Sequence, residues 1–133
     1  MANSAEIHRL LRKLESVTDL ATEEREALLK LPLIVKEVRA GEDLIRYGDR
    51  PTHCCLVLEG FTYRYKLLGD GRRQIFSFHT PGDIPDLQSL HLKVMDHSVA
   101  TLTNAKIGLI RHDDIRNLNH RHPDVADLSL IHI

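Results

Sequence analysis

Apolar residues fall at helical spacing near the start of the chain and give way to short strand-like runs from Leu33 onward. Over residues 5–16, Ile7, Leu10, Leu11 and Leu14 share one side, with Glu6, Arg9, Arg12 and Lys13 outside, which predicts an amphipathic helix. A second helix is expected from Thr22, where "TEEREALLKL" puts acids in the first turn and Leu28, Leu29 and Leu31 on one side; Pro32 ends it. The runs "LIVKEVR", "HCCLVLEG", "FTYRYKLL", "RQIFSFHT", "HSVATLT" and "KIGLIRH" are rich in β-branched and aromatic residues and read as strands. Turn signals separate them at Ala40-Gly41, Tyr47-Gly48-Asp49, Glu59-Gly60, Gly69-Asp70-Gly71 and Pro81-Gly82-Asp83. Many short strands with frequent turns predict a jelly-roll or barrel-like β domain. Helical character returns at "DDIRNLNHRHPDVADL", where Asp113 or Asp114 is expected to cap one helix and Pro123 to start another.

Gly69-Asp70-Gly71 is the clearest hairpin signal, because Asp-Gly readily takes the positive φ angles of a tight turn. Strand alternation puts Phe61, Tyr63 and Tyr65 on one face and Thr62, Arg64 and Lys66 on the other. Which face points inward is left open by the pattern. A basic residue on an inward face would be a ligand contact.

Composition narrows the class. At 133 residues, 42% hydrophobic and 28% charged, the chain reads as a single globular domain. No apolar run approaches the roughly 20 residues that a membrane span needs, and no membrane partner is expected. Cys54 and Cys55 are adjacent, which offers neither a CxxC metal spacing nor a disulfide framework; they fit a reducing cytoplasm. A net charge of −1 gives no basic footprint for nucleic acid. No Ser-His-Asp arrangement, Walker loop or GxGxxG motif is present, so no catalytic residues are assigned.

The order of elements, with Gly41-Glu42, Gly48-Asp49, "LVLEG" at 56–60, the Asp70-Gly71 hairpin, Gly82-Asp83 and the "DDIRNL" helix, resembles the sensor domain of Crp/Fnr-type bacterial transcription regulators. The likeness covers roughly residues 15–128. It implies a mainly β fold with flanking helices: a double-stranded β-helix, or jelly roll, of the cyclic-nucleotide-binding type. One domain, residues 1–133, is expected, with N-terminal helices over about 5–31, a β-roll over about 33–111 and C-terminal helices over about 113–130.

In that family a phosphate-binding cassette follows the Gly-Asp turn. It carries a Gly-Glu pair, a short helix whose amides face the cyclic phosphate, and an arginine just before the next strand. Backbone N–H groups make an anion nest, and arginine adds a forked, charge-assisted pair. Here Pro85 stands for the glycine, Asp86 for the glutamate and His97 for the arginine, and the stretch from Gly82 to Asp86 is one residue shorter than in cyclic-AMP-binding members. Proline removes a donor, aspartate reaches less far, and neutral histidine cannot form the fork. The segment is a cassette by position and not by chemistry.

The reading is therefore an effector-sensing domain with a pocket between the β-roll and segment 84–98. Its expected contacts are Asp86, Leu87, Gln88, Ser89, His97 and Ser98, with Ser77 and Arg64 behind them if their strand faces point inward. The effector is a small molecule of unknown identity; a cyclic nucleotide is not expected as cofactor, nor is a metal. Nine histidines invite a cupin-like metal-dependent enzyme as the alternative, but the only His-x-His pair, His120-Arg121-His122, lies in helical sequence. A ligand-free protein-interaction module is the third class. His79, His91 and His97 bracket the cassette and could converge. Regulators of this type continue into a dimerisation helix and a helix-turn-helix. This chain stops at "SLIHI", so DNA contact is expected only through a domain absent from it. A homodimer could still form through Leu128, Leu130, Ile131 and Ile133.

Overall fold

Two antiparallel sheets carry the fold: one runs in the order Ile34–Val38 (β1), Ala105–Arg111 (β7), His53–Glu59 (β3), the other Asp43–Ile45 (β2), Ser98–Thr101 (β6), Thr62–Leu67 (β4), Arg73–His79 (β5). The computed structural model describes residue 12, residues 22–90, residue 92 and residues 94–123. The helix expected over 5–16 (residue 12 apart), the segment after Pro123, His91 and the apolar stub at 128–133 lie outside the described residues. In chain order the elements are α1 (Thr22–Leu29), β1 (Ile34–Val38), β2 (Asp43–Ile45), β3 (His53–Glu59), β4 (Thr62–Leu67) and β5 (Arg73–His79). A 3-10 helix (Leu87–Leu90), β6 (Ser98–Thr101), β7 (Ala105–Arg111) and α2 (His112–Arg121) follow. The mainly β architecture with flanking helices matches the jelly roll expected from the sequence.

β3 shows why the run "HCCLVLE" is apolar on both faces. Cys54, Leu56 and Leu58 pack with Leu28, Leu31, Ile115 and Leu118 of the helical side and with Leu87 and Leu90 of the 3-10 helix. Cys55 and Val57 turn the other way, onto Val38, Ala105 and Ile107. A strand buried on both faces needs no polar alternation. Leu44 of β2 packs against that second cluster and also against Ile45, Met95 and Val99, so it joins the two sheets.

Three local expectations need correction. β2 is a strand that the turn-rich stretch around it conceals; it has three residues and a register shift between Asp43 and Ile45. In the β4–β5 turn only Gly71 has positive φ (84°), because Asp70 instead accepts the backbone N–H of Arg72 at 3.0 Å. α2 starts one residue before the expected cap. Arg111 occupies the N-cap without a side-chain cap bond, and Asp113 and Asp114 lie in the first turn, where they complement the helix dipole.

Gly60 is required where the β3–β4 turn meets the β6–β7 turn. Its φ is 87°, and a Cβ there would lie 2.4 Å from the Asn104 carbonyl oxygen. Backbone can yield only by pulling apart the neighbouring bonds, Phe61 N to Thr103 Oγ1 (3.1 Å) and Leu102 N to Phe61 O (2.9 Å). Gly60→Ala is expected to cost roughly 2–3 kcal/mol, from strain plus lost bonding. A urea-unfolding midpoint equal to that of the parent chain would contradict this. Among the described residues no helix is long and apolar enough to cross a membrane.

Candidate functional site

β3 is the outer strand of its sheet, so one row of its backbone groups needs partners from elsewhere. Segment 82–86 supplies them. Gly82 N donates to Val57 O (2.8 Å), Val57 N to Asp83 O (2.9 Å), and Cys55 N to the Asp86 carboxylate at Oδ1 (2.7 Å). Asp86 thus extends the ladder by one bond from its side chain. The carboxylate is wholly buried, and its Oδ2 has no partner among the described residues. Burial pushes the carboxyl up to about 7, held back in part by the bond from Cys55.

Ser89 of the 3-10 helix faces α2 in the same buried region. Its Oγ lies 2.8 Å from His112 Nε2 and 3.5 Å from Cys54 Sγ. Arg116, one turn along from His112, donates to Leu90 O at 3.1 Å. These bonds clamp the 3-10 helix to α2. Burial, and then the nearby Arg116 charge, lowers the His112 imidazole, which favours its neutral form. Burial, followed by the Asp86 charge, raises both cysteine thiols. Neither thiol is therefore available as a nucleophile. Ellman's reagent is expected to leave both unlabelled in the native chain and to titrate both in denaturant; native labelling at the rate of a small free thiol would contradict this.

His97 and Ser98 close the segment. His97 is 5% exposed; its Nδ1 lies 2.7 Å from Asp96 Oδ1, and its Nε2 has no partner among the described residues. That bond holds the Asp96 carboxyl below the usual carboxylate range. Ser98 Oγ accepts the Tyr47 N–H at 2.9 Å.

The register fixes the faces that the sequence pattern leaves open. Tyr63 pairs with Ala100 and Phe78, and Tyr65 with Ser98, while Arg64 pairs with Val99 and Ser77. Val99 packs with Ile45, Met95 and Leu44, and Leu44 also packs against the first-sheet cluster of Val38, Cys55 and Val57, so Arg64, Ser77 and Val99 share the face turned toward the first sheet. Arg64 Nε donates to Ser77 Oγ (2.9 Å), which lies 3.0 Å from His79 Nε2. On the opposite face Tyr65 donates to Asp43 Oδ1 (2.6 Å), and the Arg73 guanidinium stacks 4.5 Å from the Tyr65 ring centroid.

The expected site residues therefore fall into separate groups. Asp86 and Ser89 meet with Cys54, Cys55 and His112. Leu87 is core beside them, and Gln88 belongs to the 3-10 helix. Arg64 and Ser77 meet with His79, while His97 holds Asp96. Sequence reading missed His112 and Arg116, whose i,i+4 spacing points them to one helix face once α2 is known to begin at His112. Among the described residues no group of three or more His, Cys, Asp or Glu is placed to hold a metal.

A two-sheet β-roll with a short helix between β5 and β6 is the architecture of cyclic-nucleotide sensor domains. Residues 35–122 match the family described as cyclic nucleotide-binding domain, and the chain belongs to it. It is 40% identical over 53 residues to the nitrogen fixation regulation protein FixK of Rhizobium meliloti (strain 1021). That match covers 40% of this chain and 25% of the relative, so the chain spans only part of it. In structure it is similar to the sensor domain of the transcriptional regulator DNR from Pseudomonas aeruginosa, with TM-score 0.77 and 12% identity over 98% of this chain and 87% of that one. It is also similar to the Thermus thermophilus catabolite activator protein, with TM-score 0.72 and 21% identity over 84% of this chain and 53% of that one. The expected kinship with Crp/Fnr-type sensor domains is borne out.

Proposed function

We propose that this chain is the effector-sensing domain of a Crp/Fnr-like transcription regulator whose effector is not a cyclic nucleotide. The observation that carries this is Asp86. It stands where the family's cassette carries its glutamate, which in that family accepts from the ribose hydroxyl, yet it is wholly buried and spends its carboxylate on the Cys55 N–H of β3. Accepting a ribose hydroxyl there would cost the end of the ladder. Pro85 brings no amide to an anion nest, and His97 is engaged with Asp96. The clamp from Ser89 and Leu90 to His112 and Arg116 supports a sensing role, since it couples any movement of the cassette to α2. DNA contact, dimerisation and a cytoplasmic setting belong to the same reading. Calorimetric titration with cyclic AMP and cyclic GMP tests it; saturable binding at micromolar ligand would overturn it.

A further inference from the structure

We propose that the inner face of the β4–β5 hairpin holds a small oxyanion, a carboxylate or phosphate group, end-on against the Arg64 guanidinium. The proposal deepens the sensor reading and rests on it. Arg64 is half-buried on the face it shares with Val99, which is 1% exposed. Arg46, Arg72, Arg111 and Arg116 each lie within ion-pair distance of a carboxylate. Arg64 bonds through Nε to the Ser77 hydroxyl, and among the described residues Nη1 and Nη2 meet no carboxylate; Arg39, Arg50 and Arg73 share that lack but are exposed, so partial burial sets Arg64 apart. A cation drawn partly out of water without a counter-charge is costly, and a bound anion repays that cost.

The geometry suits an anion. Ser77 holds one edge of the guanidinium and is itself tied to His79 Nε2 at 3.0 Å, so the free pair of amino groups is fixed in direction before a ligand arrives. A planar fork presented end-on matches the two oxygens of a carboxylate or phosphate. Thr62 stands two residues back on the same face, about 7 Å along the strand, and pairs across the ladder with His79. It is 0% exposed, and its Oγ1 has no partner among the described residues. A second unspent polar atom on one inner face is expected where a ligand completes the bonding. The anion contact thus moves from the start of β6, where the family carries its arginine, to the neighbouring strand β4.

The test follows the Arg64 Nε–Hε resonance by NMR while inorganic phosphate or succinate is added at constant ionic strength, with chloride as control. Saturable shifts with one of the two anions are expected, and which one identifies the source of the oxyanion. Arg64→Gln should weaken that binding roughly tenfold to a hundredfold, as for loss of a charge-assisted pair in a partly buried site; Arg64→Lys should recover part of it. Ser77→Ala, which frees the fork but keeps the charge, should weaken it several-fold, and it serves if the arginine variants fold poorly. No saturable shift with either anion, or equal binding in Arg64→Gln, overturns the proposal. Cyclic AMP is titrated alongside. Tight binding of it would overturn the effector class, whereas silence toward all three ligands would overturn only the Arg64 site.

Discussion

Replacing Asp86 by asparagine is expected to stabilise the domain at pH 8 and to give no such gain at pH 5. Burial raises the Asp86 carboxyl from its ordinary 3.8 to about 7 in the folded chain. Between those values the folded state holds a proton that the unfolded state has released. Stability therefore falls as pH rises through that window, and the loss is complete above about 7. At about 1.36 kcal/mol per pH unit the loss reaches on the order of 4 kcal/mol, an upper bound because a buried site relaxes around its charge. His112 acts in the opposite sense. Its imidazole is lowered by burial, so the unfolded state takes up its proton first and stability falls as pH drops below about 6.5. The parent chain's own pH profile is blunted by this opposition, and the difference between parent and variant isolates Asp86. Asparagine can still accept the Cys55 N–H, so the ladder bond survives while the charge is gone. Urea unfolding at both pH values measures the difference. A variant that is equally destabilised at pH 5 and pH 8 would show that the carboxylate is not charged at any cost in the native state.

The strands were legible because each needs a short run of β-formers bounded by glycine or an acid, and those runs are local. β3 is the clearest example, with five consecutive buried residues, Cys54 to Leu58. β2 was not legible: three residues inside a stretch of turns carry no period. Arg111 at the cap of α2 defeats the usual signal because no side chain caps the helix; His112 N instead donates to Thr52 O at 2.9 Å. The site was legible by position and not by bonding. Asp86 and Ser89 were singled out as ligand contacts from their place in the cassette. Their observed partners, Cys55 N and His112, lie 31 and 23 residues away, a separation no local pattern spans. The inward face of Arg64 likewise rests on its pairing with Val99 and Ser77, which strand alternation alone cannot orient.

Cyclic AMP and cyclic GMP are expected to bind no more tightly than roughly millimolar. A site of the family's usual chemistry in the micromolar range loses about 4 kcal/mol when the forked cation and the nest amide are both absent, and at about 1.4 kcal/mol per tenfold that is about a thousandfold. Each expected loss has a physical reason. His97 points Nδ1 at Asp96, 2.7 Å away, so even a protonated imidazole meets the phosphate with a carboxylate beside it. Pro85 has no N–H to offer. Asp86 is committed to Cys55 N, and the Ser98 hydroxyl already accepts from Tyr47 N. Calorimetry at neutral pH measures the affinity directly. The paired change Pro85→Gly with His97→Arg restores the donor and the fork, and it is expected to tighten cyclic-nucleotide binding at least about tenfold. A parent chain that binds at micromolar concentration would mean that other groups hold the phosphate. If that binding were then lost in Arg64→Gln, the phosphate would sit on the hairpin arginine, with the cassette serving only as the wall that closes over it.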